Sequence, residues 1–106
     1  MSTATDGVHV LTVAGELDHH TAGPLQQALD VHRLGPAPRA VIDMRQVTFM
    51  DSSGINLLIS AHQALTGAGG WLRLAGVQDS VMRTVRLVEL DTLIACYPAL
   101  REALHA

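Results

Sequence analysis

The chain has 106 residues, of which 48% are hydrophobic, with one cysteine and a formal net charge of −3. That length predicts one domain spanning residues 1–106, large enough to bury a real core. Seven Lys plus Arg, unclustered and without interleaved aromatics, argue against nucleic acid as the main partner, and no apolar run approaches the roughly 18 residues that span a bilayer.

Residues 1–6 carry neither a basic region nor an apolar stretch, so no secretory signal is expected and the cytoplasm is the expected location. Residues 2–5 are short and polar for a strand. Val8, Val10, Leu11 and Val13 alternate well enough to predict a strand over residues 8–14, which Gly15 should end with a turn. Thr21 reads as the N-cap of a first helix, with Pro24 tolerated in its first turn and Leu25, Ala28, Leu29 and His32 on one face. That helix should stop before the rigid connector Gly35-Pro36-Ala37-Pro38, which leads into a buried strand over residues 40–43.

The most informative stretch follows: Phe49-Met50-Asp51-Ser52-Ser53-Gly54-Ile55. Ile55, Leu58, Ile59, His62 and Leu65 fall at helical spacing, so Asp51-Ser52-Ser53 should sit where a second helix begins. A helix start presents unpaired N–H groups and the positive end of the dipole, and so suits an anion. Asp and Ser are also ordinary N-cap residues, and capping by Asp51 alone accounts for much of the tripeptide. Gly54, lacking a side chain, is expected to let another molecule approach closely.

The second helix should run to about Leu65 and end in Thr66-Gly67-Ala68-Gly69-Gly70. Residues 71–75 alternate as a strand. Asp79 or Ser80 can cap a third helix carrying Val81, Val85 and Val88. Residues 93–96 read as a short last strand containing Cys96, a small core residue rather than a nucleophile. Tyr97-Pro98 should open a final helix with Leu100, Ala103 and Leu104 as its apolar stripe. Strands alternating with helices predict an α/β fold with a mixed, mostly parallel sheet.

The turn Gly15-Glu16-Leu17-Asp18-His19-His20-Thr21-Ala22, joined to Phe49-Met50-Asp51-Ser52-Ser53-Gly54, resembles the STAS domain family. Within it, the pair is similar to bacterial anti-sigma-factor antagonists, over roughly residues 8–103. The resemblance implies a STAS-like sheet of four to five strands, with four helices largely on one face and an extra strand before Val8. It also implies a phosphoprotein of transcription regulation that works by partner switching. Unmodified, it would bind an anti-sigma factor that is also a serine kinase, releasing a sigma factor. Phosphorylation on Ser52, with Ser53 as second choice, would break that complex until a serine phosphatase restored it. Geometry favours Ser52 too, if it lies in the turn and Ser53 is already wound into the helix.

The chain would then be a kinase and phosphatase substrate rather than an enzyme. Its partner-binding residues would be Glu16, Asp18, His19, Asp51, Ser52, Ser53, Gly54, Ile55 and Asn56. Two positions depart from the family pattern: Glu89 stands where glycine commonly leaves a helix, and Asn56 where a small residue is common. The alternative is a non-switching STAS module that binds a small ligand or serves as a subunit of a transporter or stress-signalling assembly. No cofactor or metal is expected, since the six histidines show no ligand spacing and no Cys pair accompanies them. A serine hydrolase is disfavoured by the missing G-x-S-x-G elbow and oxyanion motif.

Overall fold

The computed structural model describes residues 2–106, with side chains from Asp6 onward. A five-stranded sheet runs in the order β1-β2-β3-β4-β5, each strand beside its sequence neighbour. β1 (Ser2–Thr5) is antiparallel to β2 (Val8–Leu17), while β2, β3 (Arg39–Met50), β4 (Trp71–Ala75) and β5 (Ala95–Tyr97) are mutually parallel. The first strand therefore forms despite its short polar sequence. Asp6 and Gly7 both adopt positive φ, 52° and 79°, between the paired residues Thr5 and Val8. That is the two-residue hairpin geometry whose twist matches the strands it joins.

The helices are α1 (His19–Ala28), the single turn α2 (Val31–Leu34), α3 (Ser52–Gly67), α4 (Asp79–Leu87) and α5 (Leu100–His105), with a 3₁₀ turn at Leu90–Thr92. Because every parallel crossover steps one strand in the same direction, crossovers of one hand place α1, α3 and α4 on the same face. There Leu11, Leu25, Leu29, Ile42, Leu58, Leu74 and Val85 join one core, and Leu58, Ile42, Leu74 and Val85 are fully enclosed. α5 covers the opposite face, where Ala103 packs with Val8, Val41 and Ala75. Arg73 fastens α5 by donating to the Ala103 carbonyl at 2.9 Å while lying 3.6 Å over the Trp71 ring.

Several boundaries differ from the sequence expectation. β2 continues through Gly15 to Leu17, because pairing with β3 satisfies its backbone beyond the turn residue. β3 likewise extends past residue 43 to Met50. α1 stops at Ala28, and Asp30 starts α2 by accepting from the His32 N–H at 2.9 Å, so His32 belongs to a separate turn and is exposed. α3 reaches two residues beyond Leu65, to Gly67. α4 begins after Gln78, and neither Asp79 nor Ser80 caps it. Val88 lies beyond its end and is 48% exposed. The last strand is Ala95–Tyr97, and Pro98 precedes α5, whose N-cap is Ala99. Glu89 is left-handed at φ 59°, a conformation that costs a non-glycine residue about 1 kcal/mol.

β4 pairs with β3 only from Arg39 to Asp43, so β2 and β3 project beyond it as a two-stranded ribbon. Asp43 stands at the base of the ribbon, 2% exposed, on the same strand face as Val41. Arg45 chelates its carboxylate, with Nε 2.9 and 3.1 Å from the two oxygens and Nη2 at 2.7 Å, and adds its own backbone N–H at 3.2 Å. Gln78 donates to the Arg45 carbonyl at 2.8 Å, tying the ribbon to the start of α4.

Candidate functional site

At the tip of the ribbon Leu17 pairs with Met50, so the next residues, Asp18 and Asp51, lie side by side where two strands turn into two helices. The Asp51 N–H donates to the Leu17 carbonyl at 3.3 Å and joins the two turns. Each aspartate caps its helix. Asp51 Oδ1 accepts from the N–H of Ser53 at 2.9 Å and of Gly54 at 3.2 Å. Asp18 Oδ1 accepts from His20 at 2.9 Å and Thr21 at 3.2 Å. Thr21 is thus not the cap of α1 but its reciprocal partner: its hydroxyl accepts from the Asp18 N–H at 2.9 Å and donates back to the Glu16 carbonyl at 2.8 Å. Three backbone N–H groups, those of Asp18, His20 and Thr21, are satisfied here, and the Gly15–Leu17 end of β2 is bound to the helix.

Burial pushes the Asp18 carboxyl up, but the His20 and Thr21 backbone donors, the His20 charge and the Thr21 hydroxyl together hold it below the usual carboxylate range. The rings of His19 and His20 lie 3.9 Å apart, tilted by 38°, and both residues are exposed. Among the described residues no group of three or more His, Cys, Asp or Glu could hold a metal ion.

Ser52 is the first residue of α3, exposed, and its hydroxyl makes no hydrogen bond among the described residues. Ser53 is half-buried. Both serines are wound into the helix, so what separates them is exposure and not the turn-versus-helix placement expected of Ser52. Asn56 is also exposed, four residues on from Ser52 and therefore on the same helix face. Ile55 is half-buried and packs against the core.

Gly54 is buried, which overturns the expectation that it opens the site to another molecule. A Cβ there would stand 2.7 Å from the Leu17 carbonyl oxygen, 2.8 Å from Met50 Cγ and 3.0 Å from Leu17 Cγ. The absent side chain lets α3 pack onto the strand ends.

Phe49 was not among the sequence-predicted site residues. It pairs with exposed Glu16 across the ribbon and is itself 51% exposed. Its signal was an aromatic ring immediately before a capped helix start. Asp43 and Arg45, the tightest charge pair described, lie outside the tip and were also unmarked.

A family model described as the STAS domain matches residues 1–103. The anti-sigma-B factor antagonist of Listeria monocytogenes is 31% identical over 90 residues, covering 85% of this chain and 78% of that protein. Among solved structures, an anti-sigma factor antagonist from Mycobacterium paratuberculosis superposes with a TM-score of 0.85 at 33% identity, covering 99% of this chain and 89% of that one. A sulfate transporter family protein from Wolinella succinogenes gives 0.83 at 22% identity, over 97% and 86%, a likeness of fold. With the family matched along almost its whole length, the chain belongs to the STAS domain family.

Proposed function

We propose that this chain is an anti-sigma-factor antagonist whose partner is switched by phosphate on Ser52. Unmodified, it binds an anti-sigma factor that is also a serine kinase, and so frees a sigma factor. Phosphorylated, it dissociates until a phosphatase acts. The chain supplies the nucleophilic hydroxyl and the docking surface, the kinase supplies the catalysis, and the setting is the cytoplasm. The relatives named for this role, one of them 31% identical, support the class of partner. The observation that carries the serine is its position: Ser52 is exposed at the first residue of α3, with its hydroxyl unengaged, while Asp51 already caps the next two N–H groups.

Phosphorylation adds about −1.5 to −2 charges at neutral pH. Within the fold the helix dipole favours that charge by about 0.3–1 kcal/mol, and the Asp51 carboxylate opposes it. At a docked interface the same dianion loses its water, which costs several kcal/mol. A loss of about 2.7 kcal/mol already weakens a complex a hundredfold. Glu16, Asp18 and His19 line the neighbouring turn, and with Asn56 they complete the surface that the kinase must read.

A sulfate transporter family protein shares the same fold, so shape alone does not choose between the switch and a non-switching transporter module. An exposed serine at the helix start favours the switch. Incubation with the cognate anti-sigma kinase and ATP, followed by mass mapping, should place one phosphate on Ser52 and none on the Ser52→Ala chain. No phosphate on Ser52 or Ser53 refutes the switch. Asp18→Asn should slow the transfer while leaving Tm nearly unchanged, because an amide oxygen still caps α1.

A further inference from the structure

The two strands of the ribbon are unequal in length. β3 carries an extra residue relative to β2 at two places, between the pairs Thr12–Asp43 and Ala14–Gln46 and again between Gly15–Val47 and Glu16–Phe49. Each is a β-bulge, a device that re-aims side chains and raises local twist. The second bulge has a specific effect on which residues face the core. In an unbroken strand, side chains alternate, so Val47 buried would put Phe49 inside and Met50 outside. The structure has the reverse. Val47 and Met50 both enter the core, at 0% and 5% exposure, and Phe49 is turned out at 51%.

The chain's only phenylalanine thus stands in solvent although the same strand, without a bulge, would have buried it. It does so three residues before Ser52, so the two Cα atoms are within about 11 Å of each other. Among the described residues, the other large exposed hydrophobics, Leu87, Val88 and Leu93, gather at the far end of α4 and the turn after it. Exposed Glu16 borders Phe49 across the ribbon, and exposed Asn56 extends the surface along α3.

We propose that Phe49 is the apolar anchor of the docking surface: its ring inserts into an apolar pocket of the anti-sigma kinase and seals water away from Ser52. The inference rests on the phospho-switch reading and adds its physical cause. A buried aromatic beside the hydroxyl lowers the local dielectric, and that is what makes a phosphate there costly in the complex. Anchors of this kind sit centrally, are often aromatic, and lose about tenfold or more in affinity when truncated to alanine.

The test measures Kd for the purified cognate anti-sigma kinase, without ATP, against the full chain carrying Phe49→Ala, Phe49→Leu or Phe49→Thr, in unmodified and Ser52-phosphorylated forms. Phe49→Ala should raise Kd at least about tenfold, Phe49→Leu should recover part of the loss, and Tm should stay near wild type. The ratio of phosphorylated to unmodified Kd should shrink in Phe49→Ala, since less water is excluded. Phe49→Thr keeps a residue of high strand propensity and should bind as weakly as the alanine variant. Unchanged affinity in Phe49→Ala, or a weakened complex with an unchanged phosphorylation ratio, overturns the inference while the switch stands. A large fall in Tm for both Ala and Thr variants also overturns it, by showing a structural role. If the wild-type chain forms no complex, the docking reading fails and takes this inference with it.

Discussion

Gly54→Ala is the sharpest test of how the site is built, because it opposes two effects of known sign. A helical alanine is favoured over glycine by up to about 1 kcal/mol, and less in the first turn, where Gly54 is the third residue. Against this, the added methyl would stand 2.7 Å from the Leu17 carbonyl oxygen and 2.8 Å from Met50 Cγ. Neither can withdraw freely: Leu17 is fully buried, its carbonyl accepts from the Asp51 N–H, and Met50 is 5% exposed in the core. Overpacking a closed site costs about 1–3 kcal/mol. The net expectation is a loss near 1.5 kcal/mol, which for a domain of this size lowers Tm by roughly 6–12 °C. Gly67→Ala serves as the control, since a Cβ there meets nothing within 4 Å, and it should raise Tm slightly. Urea and thermal unfolding of both variants decide the matter. If Gly54→Ala is as stable as wild type or more so, the close approach of α3 to the strand ends is wrong.

Asp51→Ala should cost about 1 kcal/mol by freeing the Ser53 and Gly54 N–H groups, and Asp51→Asn should recover most of it, as read from urea midpoints. The Arg45 guanidinium, working against burial, holds the Asp43 carboxyl below its ordinary value of 3.8. Its contribution to stability is therefore complete above about pH 4 and lost as pH falls through the lower native pKa. Asp43→Asn should flatten this acid limb in unfolding curves between pH 7 and pH 3, and an unchanged slope refutes the pairing. Arg45→Met leaves a carboxylate with 3% side-chain exposure and one remaining donor, and should lower the urea midpoint at pH 7 while changing it much less at pH 3. Glu89→Gly should raise stability by up to about 1 kcal/mol by relieving the left-handed backbone at φ 59°; a lower Tm would show that the strain is already compensated.

Local chemistry made much of the site legible. Asp51 and the apolar spacing after it announced the start of α3, and the Asp and Ser residues there proved to be cap and exposed hydroxyl. The Asp6-Gly7 dipeptide carried an equally local signal for the first hairpin, but the polarity of the strand before it argued the other way. What was hidden depended on pairs of strands. Gly15 looks like a stop, yet β2 continues because β3 lies alongside to accept its backbone. Thr21 looks like a cap, yet Asp18 takes the N–H groups while the Thr21 hydroxyl ties back to Glu16. The bulges that swap Phe49 for Met50 arise only when the lengths of β2 and β3 are compared, which no single segment reveals. Gly54 was noticed for the right residue and the wrong neighbour: its space is filled from within.

These placements explain how a charged modification can leave the fold alone. The stability of a domain of this size is about 5–15 kcal/mol, whereas the helix dipole favours a phosphate at Ser52 by about 0.3–1 kcal/mol and the Asp51 carboxylate opposes it by about 1–2 kcal/mol through water. A change of that size does not unfold the chain. Nor does Asp51 have to leave its N–H groups to accommodate the phosphate, because its cap reaches Ser53 and Gly54 and not Ser52. The core beneath is closed by Gly54, Leu17 and Met50, so the added charge stays in water on the exposed side. On the proposed switch, discrimination therefore comes from what covers that side. The same dianion that is nearly neutral in its effect on an exposed tip becomes decisive once a partner removes its solvent.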